Sequence, residues 1–130
     1  MGVRFPSVQS NVLINNNSST NVEQVIVTTP PLTLPLDFAA VVLFWYIIHT
    51  VGATAAGFTV RLRRGTTVGG TVINVATQQT AAAGNNAVSS GFYFDTPGAV
   101  AGQQYSLTLI DNGSTAGGTI QDASLLAFAL

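Results

Sequence analysis

The residues that could carry chemistry in this 130-residue chain are few and scattered. His49 is its single histidine. A catalytic base or metal ligand needs a carboxylate or nucleophile beside it, and none lies near His49 in the sequence. The plain reading is a residue that closes the end of an apolar strand. One histidine and dispersed serines do not make a Ser-His-Asp set, which is recognised by geometry. The acids Glu23, Asp37, Asp95, Asp111 and Asp122 stand apart from one another. They encode neither a carboxylate pair for glycoside cleavage nor a calcium loop. The stretch GTTVGGT lacks the GK[ST] of a phosphate-binding loop, no helical pattern follows it, and it reads as a hairpin turn. There is no cysteine, hence no disulfide or thiolate metal site. No residue is nominated as catalytic, cofactor-binding or metal-ligating, and the expectation is a protein that is not an enzyme.

What remains could bind rather than react. Arg61 and Arg63 fall on one face of a strand, roughly 7 Å apart, a spacing that suits a fork for carboxylates. The mates would be Asp37, Asp95 or Asp111 of another subunit, in an inter-subunit salt bridge, or the acid of a glycan. The alternative is an ordinary solvated face. Trp45, Tyr46, Phe92, Tyr93 and Phe94 could stack on sugars, although aromatic residues inside strands more often fill cores.

The element that must position most of these residues is Phe38–His49, FAAVVLFWYIIH, a run with strand character and two apolar faces. Alternate side chains of a strand point to opposite sides. Ala39, Val41, Leu43, Trp45 and Ile47 take one face, while Phe38, Ala40, Val42, Phe44, Tyr46 and Ile48 take the other. A small sandwich has one core, so one apolar face is explained and the second needs another cover. The expected cover is another copy of the protein, with Val42, Phe44, Tyr46 and Ile48 at the interface.

Composition points the same way. Charged residues make up 7% of the chain, against about 25% for an average soluble domain. There is no lysine, and arginines at 4, 61, 63 and 64 are the only cations. Such a surface suits a subunit held inside an assembly more than a lone protein. A net charge of −1 gives no field for nucleic acid. The apolar run is short of the ~18 residues of a membrane helix, and the first residues lack the apolar core of a signal peptide. An outer-membrane barrel would need an export signal and a charged lumen face, and neither is seen.

Along the chain, residues 1–21 read as an N-terminal arm containing one short strand candidate, NVLI. Residues 22–130 read as a single domain. Its strand candidates are Glu23–Thr29, the two-sided run, Phe58–Arg64, Thr71–Thr77, Ala87–Asp95, Gln104–Ile110 and Gly118–Leu130. Pro30–Asp37 is an edge or crossover, because proline cannot donate to a central ladder. Turn signals recur every 8–12 residues without helical periodicity, the pattern of a sandwich or jelly roll. The fold expectation is an all-β, single-domain jelly-roll β-sandwich of about eight antiparallel strands. In the last strand Ile120, Leu126, Phe128 and Leu130 fall on one face, and Ala123, Leu125, Ala127 and Ala129 on the other. Leu126, Phe128 and Leu130 join the expected oligomer interface.

Three phrases, TTPPLTLP, RLRRGTTVGGTVI and DTPGAVAGQQYSLTL, carry a resemblance to the small jelly-roll, TNF-like structural proteins of tailed phages and related viruses. The resemblance covers about Val22–Leu130. It implies a homotrimer that decorates or cements a capsid surface, with the virus's major capsid protein as partner and the C-terminal strand near the threefold axis. The head of a phage fibre or tail, binding a receptor or glycan, is the alternative within the same resemblance. No cofactor is implied.

Overall fold

The computed structural model describes residues 7–18, 21–34, 36, 40–50, 57–78, 84–112 and 118–130. They form eight strands: β1 (Ser7–Ser18), β2 (Gln24–Thr28), β3 (Val41–Thr50), β4 (Phe58–Arg64), β5 (Val72–Gln78), β6 (Asn86–Asp95), β7 (Tyr105–Asp111) and β8 (Thr119–Ala129). Two four-stranded sheets result, sheet I in the order β1-β8-β3-β6 and sheet II in the order β2-β7-β4-β5. Every strand pair is antiparallel. Only β4 and β5 are joined as neighbours within one sheet, and every other connection passes between the sheets. This is the jelly roll that the strand spacing predicted.

The core follows the alternation. Val41, Leu43, Trp45 and Ile47 of β3 face Phe58, Val60 and Leu62 of β4 and Tyr105, Leu107 and Leu109 of β7 across the sandwich, all buried. Ala123, Leu125 and Ala127 of β8 complete the inner face of sheet I. Small residues make room for the one indole: Gly91 lies directly opposite Trp45 in register, and a Cβ there would sit 3.0 Å from the ring. The proline-bearing crossover also packs inward, since Leu32 and Leu34 are buried and Leu32 bridges to Gln103.

Two expectations change. Residues 7–18, read as part of an arm, form the edge strand β1, paired with β8 from Ser7↔Phe128 to Ser18↔Thr119. The polar run NNNSSTN read as a loop with no core-forming residue, yet its first four residues lie in β1, because an edge strand needs backbone pairing more than an apolar face. Residues 1–6, 19 and 20 of that arm lie outside the described residues, as do Asp37, Phe38 and Ala39. The second change concerns Ile120. The β3–β8 register shifts between Ile48 and His49, and that irregularity turns Ile120 away from Leu126 and Phe128 and into the core.

Candidate functional site on the outer face of sheet I

The second face of β3 is the outer face of sheet I, and the register sets its neighbours. Val42 lies opposite Phe94 of β6 and Phe128 of β8; Phe44 opposite Phe92 and Leu126; Tyr46 opposite Ser90 and Ser124; Ile48 opposite Val88 and Asp122. Directly opposed residues in an antiparallel pair share a face. The result is two apolar, mostly aromatic rows, then a hydroxyl row, then a mixed one.

The aromatic rows are continuous. The Phe44 ring stacks on Phe128 at 5.9 Å between centroids and lies 6.3 Å from Phe92, which meets Phe94 edge-on at 6.0 Å. Phe44, Phe92 and Phe94 remain 45%, 61% and 55% exposed, and Leu130 and Val88 are exposed as well. Val42, between two phenylalanine rows, is already buried. Phe44, Tyr46, Ser90, Gly91, Phe92, Ser124 and Leu126 line a groove of about 490 Å³ where the aromatic rows give way to the hydroxyl row. There the Tyr46 hydroxyl donates to Asp122 Oδ2 at 2.7 Å. That hydrogen bond, with burial and the Asp122 charge, raises the tyrosine pKa above its ordinary value.

The expected interface set thus gathers on one surface. Val42, Phe44, Tyr46, Ile48, Leu126 and Phe128 share the outer face, and Leu130 follows β8 beside it. Phe92 and Phe94 were read mainly as core and stand exposed instead; their phase is set by pairing with β3, where Phe44 and Val42 are their partners. Tyr93 packs against the core, and Trp45 lies in it.

The outer face of sheet II is different in kind. Arg61 and Arg63 do share a face, but both reach Glu23 of their own chain, Arg61 Nη1 at 3.0 Å and Arg63 Nη2 at 2.7 Å. Thr108 also donates to Glu23. Burial works against the Glu23 carboxylate, yet the Thr108 and Arg63 hydrogen bonds and the two arginine charges outweigh it, and its pKa falls below the ordinary value. Within the chain, then, both arginines of the expected inter-subunit bridge are held by an acid that was not among the candidate mates. Asp95 and Asp111, which were, serve the ends of the sandwich. Asp95 holds Arg64 Nη2 at 2.6 Å and accepts from the Tyr105 hydroxyl at 2.9 Å, tying β6 to β4 and β7. Asp111 lies 3.8 Å from His49 Nε2.

His49 closes the strand as expected, but from within. Its ring is buried on the inner face, 4.8 Å from Phe58. Burial lowers its pKa, against the opposing pull of Asp111. Gly118 fits because it has no side chain: a Cβ there would stand 2.6 Å from the imidazole and 2.2 Å from the Thr50 carbonyl oxygen. The acid beside His49 was hidden from sequence reading by 62 positions.

No family model matches the sequence, and no curated protein does. Solved structures do match the fold. A Bacillus endospore appendage protein, of a family forming disulfide-linked pili, superposes with a TM-score of 0.52 at 16% identity, covering 98% of this chain and 92% of that one. The tumour necrosis factor Eiger of S. frugiperda gives 0.53 at 8% identity, with coverage of 97% and 92%. Dimeric latent PorU of Porphyromonas gingivalis gives 0.58 at 7% identity, with 98% of this chain matching only 13% of that protein. At these identities the likeness is one of fold, and the fold is the TNF-like jelly roll.

Proposed function

We propose that this chain is a structural, non-catalytic subunit that assembles with copies of itself through the outer face of sheet I. The observation that carries this reading is the exposed phenylalanine cluster of Phe44, Phe92 and Phe94. At ~200 Å² per phenylalanine, their exposed portions come to roughly 300 Å², worth on the order of 8 kcal/mol per subunit when buried. With Val88 and Leu130 the apolar total reaches about 450 Å², the share one partner brings to an interface of standard size. The outer face of sheet II carries the Glu23 ion pairs and separate exposed valines, Val25, Val72 and Val75, but among the described residues no aromatic cluster.

The finer reading is a homotrimer on a capsid surface, with the major capsid protein as partner. It is supported by the sequence resemblance and by a low charge content that suits a lattice-bound subunit. The likeness to a pilus-forming protein supports the broader statement of an extracellular or virion structural role. A second reading, a glycan-binding fibre head, is favoured by the hydroxyls of Tyr46, Ser90 and Ser124 beside exposed aromatic rings. Light scattering is the first test, and a folded monomer at micromolar concentration overturns self-assembly. Co-sedimentation with undecorated capsids supports the decoration reading. Glycan-array binding without capsid binding supports the fibre head.

A further inference from the structure

We propose that β6 is a strand-addition edge that pairs with β6 of a second copy; this deepens the self-assembly reading and rests on it for the choice of partner. An edge strand leaves a row of N–H and C=O groups unpaired, and folds blunt such edges with short strands, lysine, proline or bulges. The four edges of this sandwich are β1 and β6 of sheet I and β2 and β5 of sheet II. Three of them carry a shift in register. It falls between Leu13 and Asn17 in β1, between Val25 and Val27 in β2, and between Leu62 and Arg63 in the β4–β5 pair. β2 is also only five residues long.

β6 has none of these devices. Its ten residues pair one-for-one with β3, from Asn86↔Thr50 to Asp95↔Val41, with no shift. It contains no proline and no lysine, and its one charge, Asp95, is turned inward to Arg64 and Tyr105. Among the described residues no strand lies on its other side.

The partner that fits is an unbroken strand of similar length with no outward-facing charge. β1 offers only Ser7–Leu13 before its shift, so within this protein the match for β6 is β6 itself. Antiparallel pairing about a two-fold axis keeps outward side chains on one side when opposed residues have the same parity. Overlaps centred on Ser90 or on Gly91 meet that condition, using residues 86–94 or 87–95. The first sets Phe92 opposite Val88 of the second copy, and the second sets Phe94 there. Both are aromatic–β-branched pairs of the favourable kind, and neither opposes like charges. The two four-stranded sheets then become one continuous sheet whose aromatic faces adjoin.

Amide-resolved hydrogen exchange on the assembled protein tests this. Along a free antiparallel edge every second amide points away from the sheet, so fast and slow amides alternate; along a paired β6 all of them are slow. The expected wild-type pattern is uniform protection over residues 87–94. Ser90→Lys leaves the β3 ladder in place and sets a charge at the two-fold in the first overlap and against Phe92 of the second copy in the other. It is expected to restore the alternation and halve the assembled mass. Phe128→Ser, on the aromatic face but on β8, is expected to leave β6 protection unchanged. An assembled wild type with alternating β6 amides overturns the edge proposal and leaves self-assembly standing. Loss of β6 protection in Phe128→Ser also overturns it, because face burial then explains the protection. A monomeric wild type removes both readings.

Discussion

At the scale of single residues, the positions that matter most are those where a side chain has no latitude. Gly118 is pressed between the Thr50 carbonyl and the His49 ring. Gly118→Ala forces backbone or imidazole to move, and overpacking of this kind costs about 1–3 kcal/mol. The expected result is a clear fall in melting temperature. Gly91→Ala meets only the edge of the Trp45 indole, at 3.0 Å, and is expected to cost less. Calorimetry on the pair ranks them, and equal melting temperatures would contradict the contact geometry.

His49 gives the protein a pH response with a definite sign. Its pKa is lowered by burial in the folded state, whereas in the unfolded chain it sits near ~6.5. Above that pH the ring is neutral in both states and contributes nothing to the balance. As pH falls below it, the unfolded chain takes up a proton that the folded one resists, and stability declines until the folded-state value is passed. Glu23 acts lower on the scale. Its depressed pKa contributes stability above its ordinary value of 4.5, which is lost as pH falls through the folded value. The melting temperature is therefore expected to fall between pH 7.5 and 5.5, and His49→Leu is expected to flatten that part of the profile.

At the scale of elements, Glu23 works as a staple that reaches from the start of β2 to β4. Glu23→Gln leaves the largely buried Arg63 guanidinium without its carboxylate, and stranding a buried partner of this sort costs about 1–3 kcal/mol. Replacing Arg63 and Glu23 together by apolar residues is expected to cost less than Glu23→Gln alone, and a double-mutant cycle reads the difference. β8 is the element with the least tolerance. It lies between β1 and β3, so deletion of residues 126–130 removes ladder partners from both strands and the backbone bond from Leu130 to Ala40. Loss of soluble folded protein is the expected outcome; an unchanged melting temperature would show that this end of β8 is dispensable.

The elements also show what could be read from the sequence. Strands β3, β4 and β7 were legible because period-two alternation is a local property, and Phe58, Val60, Leu62, Tyr105, Leu107 and Leu109 all face inward as their spacing predicted. The turn of Ile120 into the core was not legible, since a register shift is a backbone event with no residue type to announce it. Phe92 and Phe94 were placed mainly in the core because burial was judged from residue type, whereas the strand beside them decides their side of the sheet. The Arg61–Arg63 fork was visible, but its acid lies about forty positions away and is brought in by sheet pairing alone.

At the scale of the whole molecule, the contrast between an ion-paired outer face on sheet II and an aromatic one on sheet I predicts how assembly responds to mutation. Phe44→Ser with Phe92→Ser removes exposed apolar area without touching the core. The expected result is a folded subunit of reduced assembly mass by light scattering, with far-UV circular dichroism unchanged. A mass equal to wild type would assign the interface elsewhere. Because the proposed contact is apolar, assembly is expected to persist in high salt, unlike one held by exposed ion pairs.

The central position of β8 also bears on the order in which the protein is made. Ser7 pairs with Phe128 and Ser18 with Thr119, so everything between them leaves the ribosome before β1 meets its partner. Throughout that interval sheet I lacks its middle, and β3 has β6 on one edge but no partner on the other. Folding dominated by such distant pairings is slow and exposed to aggregation. The nascent chain is therefore expected to complete sheet I only once β8 emerges to join β1 to β3, and stalled chains that end before Thr119 are expected to be protease-sensitive.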